Sequence, residues 1–350
     1  MPFDLLRGVA SCAGLLSLLA CSSPDRHGTR SGSPADALPP NVSLLVPEGL
    51  RPDWSGDGRR LLYLDALVGD VFELDLATRA VRPLTRHFAH AGFTRARYLA
   101  SGDLLLCGPR AAGAARPEGG RWHTELWWLA ADASAPAVAL EAPCFEGPAV
   151  SRRSLRIAWT RSDYPDSVIF GRSEIWTGEI VVENGRPELV DRVKRLDRSA
   201  LNYLAFFETQ DFRPPDEREL IITAYGHRGG EVMGLELETG TLTNYSRSWG
   251  YDEAEGVFPD GKHVAVEREP DTYTATPRGH IDIWRTALDG SGETRRLTRF
   301  SDFAGYGANN PVVSPDGRRI AFGLRRTDGP HGNGHGIFLL DLGEASGSGS

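Results

Sequence analysis

The chain has 350 residues, with 39 lysine and arginine side chains against 47 aspartate and glutamate side chains, and a formal net charge of −8. A net negative charge repels a phosphate backbone, so the composition argues against a nucleic-acid-binding protein. Glycine (40) and proline (23) are frequent but dispersed. That distribution is typical of a folded chain with many turns, not of a disordered one.

The first 20 residues have the pattern of an export signal. Arg7 gives a short positive region, and the uncharged stretch 8–20 is long enough for the apolar core of a signal peptide but too short to span a bilayer. The phrase Leu18-Leu19-Ala20-Cys21 resembles a bacterial lipobox. That resemblance implies removal of residues 1–20 and lipidation of Cys21. An ordinary secretory signal followed by a chance cysteine is the alternative.

Residues 21–40 have no apolar period, and we expect them to form a flexible tether between the lipid and a folded body. Ser22 follows the cysteine, which by resemblance to Gram-negative sorting implies the outer membrane, with the body in the periplasm. No later run is apolar enough to span a membrane. The sequence therefore predicts a monomer of the bacterial cell envelope that meets the membrane only through its lipid anchor.

A short phrase recurs along the body. Residues 314–322 read Ser-Pro-Asp-Gly-Arg-Arg-Ile-Ala-Phe, and weaker copies stand at 55–63 and 258–266. Each copy predicts a tight turn that leads into an apolar strand, and repeats spaced about 40 to 60 residues apart indicate a series of four-stranded blades. Residues 252–299 contain one whole unit, in which 280–286 alternate apolar and polar residues as a half-buried strand does.

Six copies of this unit can be placed, and the last, at 310–342, lacks its fourth strand. The β-like run 41–46 precedes the first blade, and pairing it with the last blade would close the ring and cover both sheet edges. The sequence therefore predicts an all-β, six-bladed β-propeller at 41–343, followed by a disordered Ser/Gly tail at 344–350. A seventh blade within 186–211 is the alternative.

The Pro-Asp-Gly turns and the pattern Asp-Ile-Trp, Asp-Gly-Ser-Gly and Leu-Thr-Arg within 282–299 resemble the TolB-type propeller repeat, also called PD40 or WD40-like. The resemblance covers 41–342 and implies the fold. It does not imply one function, because such propellers occur in Tol-system proteins, in peptidase gating domains and in saccharide lyases. We do not expect TolB itself, which resembles a propeller behind a separate α/β domain. The chain also has no Gly-x-Ser-x-Gly elbow of a hydrolase.

Two cysteines belong to the predicted body. Export makes a disulfide between Cys107 and Cys144 possible, whereas Cys107 also ends an apolar strand in which a buried free thiol fits equally well. Both alternatives stay open. The chain has no Cys-x-x-Cys pair, so the sequence predicts no thiolate zinc site.

Propeller sites usually lie on the face that carries the long loops, at the mouth of the axial channel. Most of the histidines fall on these loops, and histidine can bind a metal or transfer a proton at neutral pH. The weak candidates for metal ligands are His87, His90, His227, His331 and His335. Ordinary loop histidines are the alternative, because no carboxylate stands beside the Gly-rich 331–335 pair. We expect no cofactor, and a divalent metal is the alternative.

The starts of the innermost strands are expected at the channel mouth, acidic on one side and basic on the other. Paired carboxylates could act as general acid and base on a saccharide, and arginines could hold a carboxylate. The candidate catalytic residues are Asp211, Glu255, Arg95 and His90. Loop aromatics could stack on sugars or anchor a peptide. The candidate binding residues are Arg51, Arg95, Glu208, Gln210, Asp211, Trp249, Tyr251, Asp252, Glu255, Tyr306, Asn309 and Asn310.

The sequence favours a non-catalytic lipoprotein that binds an envelope protein, a peptide or a glycan through its loop-rich face. The alternative is a propeller enzyme, a lyase or hydrolase, that acts on an anionic saccharide. Convergence of His87, His90, His227, Asp211, Glu255 and Arg95 on one pocket would favour the enzyme, and their scatter would favour binding.

Overall fold

The repeated turn phrases fold into six four-stranded antiparallel blades around a common axis. The computed structural model describes residues 27–110, 118–167, 171–203, 205–226, 229–274, 278–328 and 334–343. The predicted signal peptide, Cys21 and the Ser/Gly tail lie outside these residues. No helix in the described part of the chain is long and apolar enough to cross a membrane.

The strands follow one another in chain order through the blades. The first, β1 (Val42–Val46), precedes blade 1. Blade 1 contains β2 (Leu50–Trp54), β3 (Arg60–Leu64), β4 (Val71–Asp75) and β5 (Val81–Pro83). Blade 2 contains β6 (Arg95–Tyr98), β7 (Leu104–Pro109), β8 (Thr124–Leu129) and β9 (Val138–Cys144). Blade 3 contains β10 (Ala149–Val150), β11 (Arg156–Ser162), β12 (Ser173–Glu183) and β13 (Arg186–Asp197).

The second half repeats the arrangement. Blade 4 contains β14 (Phe206–Phe212), β15 (Glu219–Tyr225), β16 (Gly230–Glu236) and β17 (Leu242–Asn244). Blade 5 contains β18 (Tyr251–Val257), β19 (His263–Glu269), β20 (Asp282–Ala287) and β21 (Thr294–Arg296). Blade 6 contains β22 (Tyr306–Val313), β23 (Arg319–Arg326), β24 (Ile337–Asp341) and β1. Short 3-10 helices occur at Pro34–Asp36, Glu118–Arg121, Arg198–Ala200 and Phe300–Asp302.

The ring is closed by the N-terminal strand, as the sequence predicts. β1 pairs antiparallel with β24, and Val42 stands opposite Leu340. Val42 and Val46 are buried at the two ends of the strand. The strand thus covers the edge that blade 6 would otherwise expose. The alternative of a seventh blade is wrong for the described residues, because β13 pairs with β12 as the fourth strand of blade 3.

Local hydrogen bonds explain the repeated turn phrase. The Asp316 carboxylate accepts from the Arg318 N–H at 3.0 Å, and the Ser314 hydroxyl oxygen accepts from the Arg319 N–H at 3.0 Å. Gly317 has a φ of 71°, in the left-handed region that favours glycine. These turns join the first and second strands of their blades, so they share one face, the turn face. The opposite face, which carries the longer connections, is called the loop-rich face below.

Residues 27–37 belong to the predicted flexible tether but lie against the propeller body. His27 Nδ1 is 2.9 Å from Ser301 Oγ, and the His27 ring stacks on His280. Arg30 forms a β-bridge with Phe303 and places its guanidinium over that ring. The predicted tether was therefore too long. Residues 27–37 have no apolar period, but ring and backbone contacts hold them against the propeller. Residues 21–26, which would still be a tether, lie outside the described residues.

A disulfide joins Cys107 and Cys144, whose Cα atoms are 6.2 Å apart. The structure therefore favours the bond over the buried free thiol. The two cysteines lie on β7 and β9, which flank β8 in blade 2. The bond ties the outer strand of this blade to its interior across the intervening strand. It lies in the apolar cluster between blades 2 and 3.

Candidate functional site

A layer of buried polar side chains closes the axial channel at its middle. Each blade or the connection into it contributes one member of this layer, which we call the waist: Arg51, Arg95, Glu146, Gln210, Glu255 and Asn310. All but Asn310 are buried, with exposures of 7% or less. The sequence predicted five of these positions at the channel mouth. They lie deeper instead, between a cavity that opens on the loop-rich face and another that opens on the turn face.

β-Bulges place four of the waist residues. The register of β2, β14, β18 and β22 against their partners shifts at Arg51, Gln210, Glu255 and Asn310. A bulge leaves an extra residue outside the ladder, so it can re-aim a side chain. Arg51 and Asn310 also have left-handed φ values of 53° and 49°. Such backbone is strained in residues other than glycine, and strain of this kind clusters at functional sites.

The basic side of the waist is neutralised internally. Arg51 Nη2 lies 2.6 Å from Glu146 Oε2, and Arg51 Nη1 donates to the Thr94 carbonyl at 2.6 Å. Arg121 contacts the other oxygen of Glu146. Burial opposes ionisation of Glu146, but the two guanidinium groups outweigh it and lower the pKa of this carboxyl to about 2. Arg51 is therefore already paired, which weakens its predicted role in holding an anionic ligand.

The acidic side has more carboxyl groups than partners. Four glutamates share it, here called the glutamate cluster: Glu208, Glu253, Glu255 and Glu267. Carboxylate oxygens of Glu253, Glu255 and Glu267 lie within 4.8 Å of one another. Burial, together with the neighbouring carboxylates, raises the pKa of Glu208 and Glu267 well above the usual range and also raises that of Glu253. A positively charged group placed among them would relieve this repulsion.

Arg95 and Asn310 contact the glutamate cluster on the side that faces the waist. Arg95 Nη1 lies 3.9 Å from Glu255 Oε2, and neither that oxygen nor Arg95 Nε makes a hydrogen bond among the described residues. The Asn310 N–H donates to Glu267 Oε1 at 2.6 Å, and its side-chain amide lies 3.2 Å from Glu255 Oε1. These contacts fix the cluster on the side of the waist. On its other side the cluster borders the cavity of the loop-rich face.

An aromatic wall lines the same cavity, which has a volume of about 570 Å³. The wall consists of Trp122, Phe145, Tyr164, Phe206, Tyr225 and Tyr251. Its rings touch in series: Tyr164 stacks on Phe206 at a centroid distance of 5.3 Å, and Phe206 stacks on Tyr225 at 4.6 Å. The series brings rings from the loops of blades 2 and 3 next to rings of blades 4 and 5.

The wall ends at the glutamate cluster. The Tyr225 hydroxyl donates to Glu208 Oε2 at 3.3 Å, and the Tyr251 hydroxyl donates to Glu253. Burial and the nearby carboxylates raise the pKa of both phenols well above the usual range, so both remain protonated donors. Aromatic faces attract cations, and a cation bound beside the glutamates would favour their ionised form. The cavity therefore suits a ligand with an apolar stem and a cationic end.

The structure divides the predicted binding residues between several places. Those that line the cavity on the loop-rich face are Arg51, Arg95, Glu208, Tyr251, Asn309 and Asn310. Glu255 lies beneath them in the waist. Gln210 and Asp211 line the cavity of the turn face, about 610 Å³ in volume, where Asp211 Oδ2 accepts from Arg152 at 3.0 Å. Asp252 is fully buried and pairs with Arg268 at 3.2 Å.

Two predicted aromatic residues lie away from the cavity. Tyr306 lines a separate pocket at the rim of blade 6, together with Arg326 and His335. Trp249 is 61% exposed on the connection between blades 4 and 5. Neither side chain lines the cavity that holds the aromatic wall.

The histidines do not gather around one centre. His90 Nε2 lies 2.9 Å from Asp70 Oδ1, and the same aspartate oxygen accepts from the Thr85 hydroxyl. Blades 4 and 5 repeat this acid–hydroxyl contact between Glu231 and Ser246 and between Asp282 and Thr298, so it belongs to the scaffold. His87 is exposed.

The remaining histidine candidates do not form a set of metal ligands among the described residues. His335 lies at the rim of the cavity, where burial and Arg326 lower its pKa. His227 and His331 lie outside the described residues. Of the residues proposed to converge, only Arg95 and Glu255 meet in the described part of the chain. Their scatter favours binding over catalysis by those residues.

Glu267 and the aromatic wall, apart from Tyr251, were not among the predicted site residues. Glu267 could have been found, because the hairpin around the turn at 259–261 places it directly opposite Glu253 on the neighbouring strand. Phe206 and Tyr225 form a second such cross-strand pair. The rest of the wall comes from loops of other blades, and no local sequence signal brings those loops together.

Comparison with known proteins supports the fold. No family model matches the chain, and no curated protein matches its sequence. A protein described as TolB from Agrobacterium tumefaciens is 17% identical, with a TM-score of 0.54 over 78% of this chain and 84% of that chain. TolB from Acinetobacter baumannii is 12% identical, with a TM-score of 0.51 over 84% and 62%. Regucalcin from Agrobacterium tumefaciens, a calcium-binding protein, is 15% identical, with a TM-score of 0.53 over 85% and 92%. The chain thus has the β-propeller fold that TolB shares with related propeller proteins.

Proposed function

We propose that this protein is a bacterial cell-envelope lipoprotein whose propeller binds a segment of a partner protein on its loop-rich face. The lipobox-like phrase before Cys21 supports lipid anchoring. The disulfide between Cys107 and Cys144 is compatible with an oxidising compartment such as the periplasm. The observation that carries the binding role is the aromatic wall that leads to the buried glutamate cluster.

The chemistry of the cavity selects a basic ligand group. A lysine or arginine side chain of the partner would lay its apolar stem against Phe206 and Tyr225 and place its charge near Glu253 and Glu267. An N-terminal amino group would fit in the same way. A cavity of about 570 Å³ takes a few side chains, which suits a short extended segment.

The other candidate ligands fit less well. Arg278, Arg325 and Arg326 also line the cavity, but an anionic saccharide that reached the waist would meet the glutamate cluster while Arg51 stays paired with Glu146. A neutral glycan could stack on the rings, but it would offer no positive charge to the glutamate cluster. The proposed lyase or hydrolase loses support because Asp211 and His90 lie away from Glu255 and Arg95.

Peptide binding provides the test. Arrayed peptides that differ only in a central lysine, arginine, glutamine or glutamate are bound to the purified protein, and the best binder is then titrated by calorimetry. We expect lysine or arginine peptides to bind, and Glu267→Gln to weaken that binding about tenfold, since one buried charge contact is worth at least 1.4 kcal/mol. Glu238→Gln, on an exposed residue of blade 4, is the control.

Two results would contradict this function. One is equal binding of the basic and neutral peptides. The other is a cut product when the protein is incubated with uronate polysaccharides, which would restore the enzyme alternative.

A further inference from the structure

The start of the described chain lies on the loop-rich face. His27 contacts Ser301 in the connection between blades 5 and 6, and it stacks on His280 in the loop between β19 and β20. Cys21 stands six residues before His27. A chain of that length spans at most about 20 Å when fully extended. If Cys21 is lipidated, the membrane surface is therefore held close to this part of the loop-rich face.

The two most exposed large hydrophobic side chains of the described residues lie in the same region. Trp249 is 61% exposed and Tyr273 is 58% exposed. Trp249 lies on the connection into blade 5, and Tyr273 lies on the loop of blade 5 that also contains His280. These two stretches touch, because a Cβ atom on Gly250 would lie 2.7 Å from the Pro270 carbonyl oxygen. Both aromatic side chains thus belong to the loop-rich end of blade 5.

Other exposed hydrophobic side chains are placed differently. They are Leu44, Val81, Val138, Val181 and Val193, and their exposures run from 38% to 46%. All of them lie on strands toward the outside of their blades, at β1, β5, β9, β12 and β13. They are aliphatic and dispersed around the ring. The exposed aromatic pair is therefore a local feature of blade 5 and not part of a general surface pattern.

Exposed basic side chains also occur on the segments that form this end of the blade. The exposed arginines of the N-terminal segment and of the three stretches that form this end of the blade are Arg30, Arg247, Arg278 and Arg299. The Arg247 guanidinium lies beside Gly290 on the β20–β21 hairpin, and Arg278 lines the cavity of the loop-rich face. The exposed acids on the described part of the same segments are Asp36 and Asp271. The local charge is thus positive on a protein whose formal net charge is −8. Tryptophan and tyrosine favour the membrane–water interface, and basic side chains favour anionic headgroups.

We propose that the loop-rich end of blade 5 docks on the surface of the membrane that carries the lipid anchor. Trp249 and Tyr273 enter the headgroup region, and Arg30 and Arg299 lie near lipid phosphates. This contact adds to the lipid, which the sequence predicted as the only attachment. The proposal rests on lipidation of Cys21 for its location, but not on peptide binding. The cavity then opens toward the membrane, so the partner segment is one presented at the bilayer.

Depth measurements on the lipidated protein test the docking. The full protein is incorporated into vesicles of phosphatidylethanolamine and phosphatidylglycerol that contain a headgroup spin label. A fluorescent amino acid is introduced at position 249 or 273, and at 181 or 239 as controls on the blade side and the turn face. We expect the spin label to quench fluorescence at 249 and 273 at least about twofold more than at 181 and 239, because quenching reports interfacial burial. Equal quenching at all four positions, or stronger quenching at 239, would overturn the proposal.

A second arm separates docking from anchoring. The Cys21→Ala protein, exported through a cleavable signal, is floated with the same vesicles. We expect weak binding that Trp249→Ala with Tyr273→Ala reduces at least about fivefold, and that Val181→Ala with Val193→Ala leaves unchanged, because only the first pair removes interfacial rings. Binding that is insensitive to Trp249 and Tyr273 would contradict docking.

Mass analysis and cross-linking distinguish the remaining outcomes. The mass of the N-terminal peptide reports whether Cys21 carries lipid, so a failure of the lipoprotein assignment is seen independently of docking. A photoreactive amino acid at position 249 is expected to cross-link to phospholipid in cells. Cross-links to a protein instead would assign the blade 5 surface to a protein partner and overturn the membrane proposal.

Discussion

Arg95 of blade 2 and Glu255 of blade 5 meet across the propeller axis, with 3.9 Å between Arg95 Nη1 and Glu255 Oε2. The two blades stand opposite each other in a ring of six. Both side chains are buried, with exposures of 4% and 1%. This ion pair forms the centre of the waist, and it separates the cavity of the loop-rich face from that of the turn face. It also gives the glutamate cluster a guanidinium inside the protein.

Removing the guanidinium should therefore destabilise the protein strongly. We expect Arg95→Met to lower the free energy of unfolding by about 3 to 5 kcal/mol at neutral pH, because the buried carboxylates lose their counter-charge. Urea denaturation measures the change. Arg218→Met, which removes an exposed ion pair with Glu238, should cost less than about 1 kcal/mol. Equal costs for the two substitutions would show that Arg95 does not hold the cluster.

The glutamate cluster predicts a pH dependence of stability. The pKa values of Glu208, Glu253 and Glu267 are raised above the usual value of 4.5, so the folded protein holds protons that the unfolded chain releases. The stability from these groups is complete below the unfolded pKa and is lost as pH rises through the folded pKa values. We expect the Tm to fall as pH rises from weakly acidic to weakly alkaline. Thermal scans across this range measure it.

The substitution Glu267→Gln tests whether the glutamate cluster causes the pH dependence of the Tm. Glu267→Gln removes one of the repelling charges, so it should raise the Tm by roughly 2 to 4 °C at weakly alkaline pH and flatten the pH dependence. Glu238→Gln is the matched control on an exposed residue. An unchanged slope in Glu267→Gln would place the titrating groups elsewhere.

The parts of the fold that could be predicted depend on contacts between residues that are close in sequence. The contacts of Ser314 with Asp316 and Arg319 all fall within six residues, so the turn phrase carries its own structure and repeats in register. Closure by residues 41–46 was predictable because one blade lacked a strand. Once the blades were aligned on the turns, the positions of Arg51, Arg95, Glu255 and Asn310 near the axis followed.

The detailed geometry of the site depends on β-bulges and on contacts between blades, and the repeated sequence pattern indicates neither. In β14 the bulge at Gln210 is followed by Asp211, whose side chain lies on the turn face beside Arg152, away from the predicted mouth. The aromatic wall combines Trp122 and Tyr164 from loops with Phe206 from a strand. Contacts between separate blades arise only from the closed ring, so sequence patterns within one blade could not predict them.

The aromatic wall should contribute to affinity without holding the fold. Phe206→Leu keeps an apolar side chain but removes the ring between Tyr164 and Tyr225. We expect basic peptides to bind about 2-fold to 30-fold more weakly, since a partly desolvated cation–ring contact is worth about 0.5 to 2 kcal/mol. Calorimetry with the best peptide measures this. Trp176→Leu, on the outward stretch of blade 3, should leave the affinity unchanged. Equal losses in the two variants would remove the wall from the binding site.

The disulfide supports blade 2, from which Arg95 enters the waist. Cys107 and Cys144 are 37 residues apart in sequence, so their bond restricts a long segment of the unfolded chain. We expect the Cys107→Ala, Cys144→Ala double variant to lose about 2 to 4 kcal/mol of unfolding free energy, as is typical of native disulfides. Urea denaturation of the unsubstituted protein with and without reductant gives the same comparison without a substitution. Because the loss acts mainly through the unfolded state, peptide affinity of the folded variant should be unchanged. A weaker affinity would instead show that the bond positions Arg95 and the cavity floor.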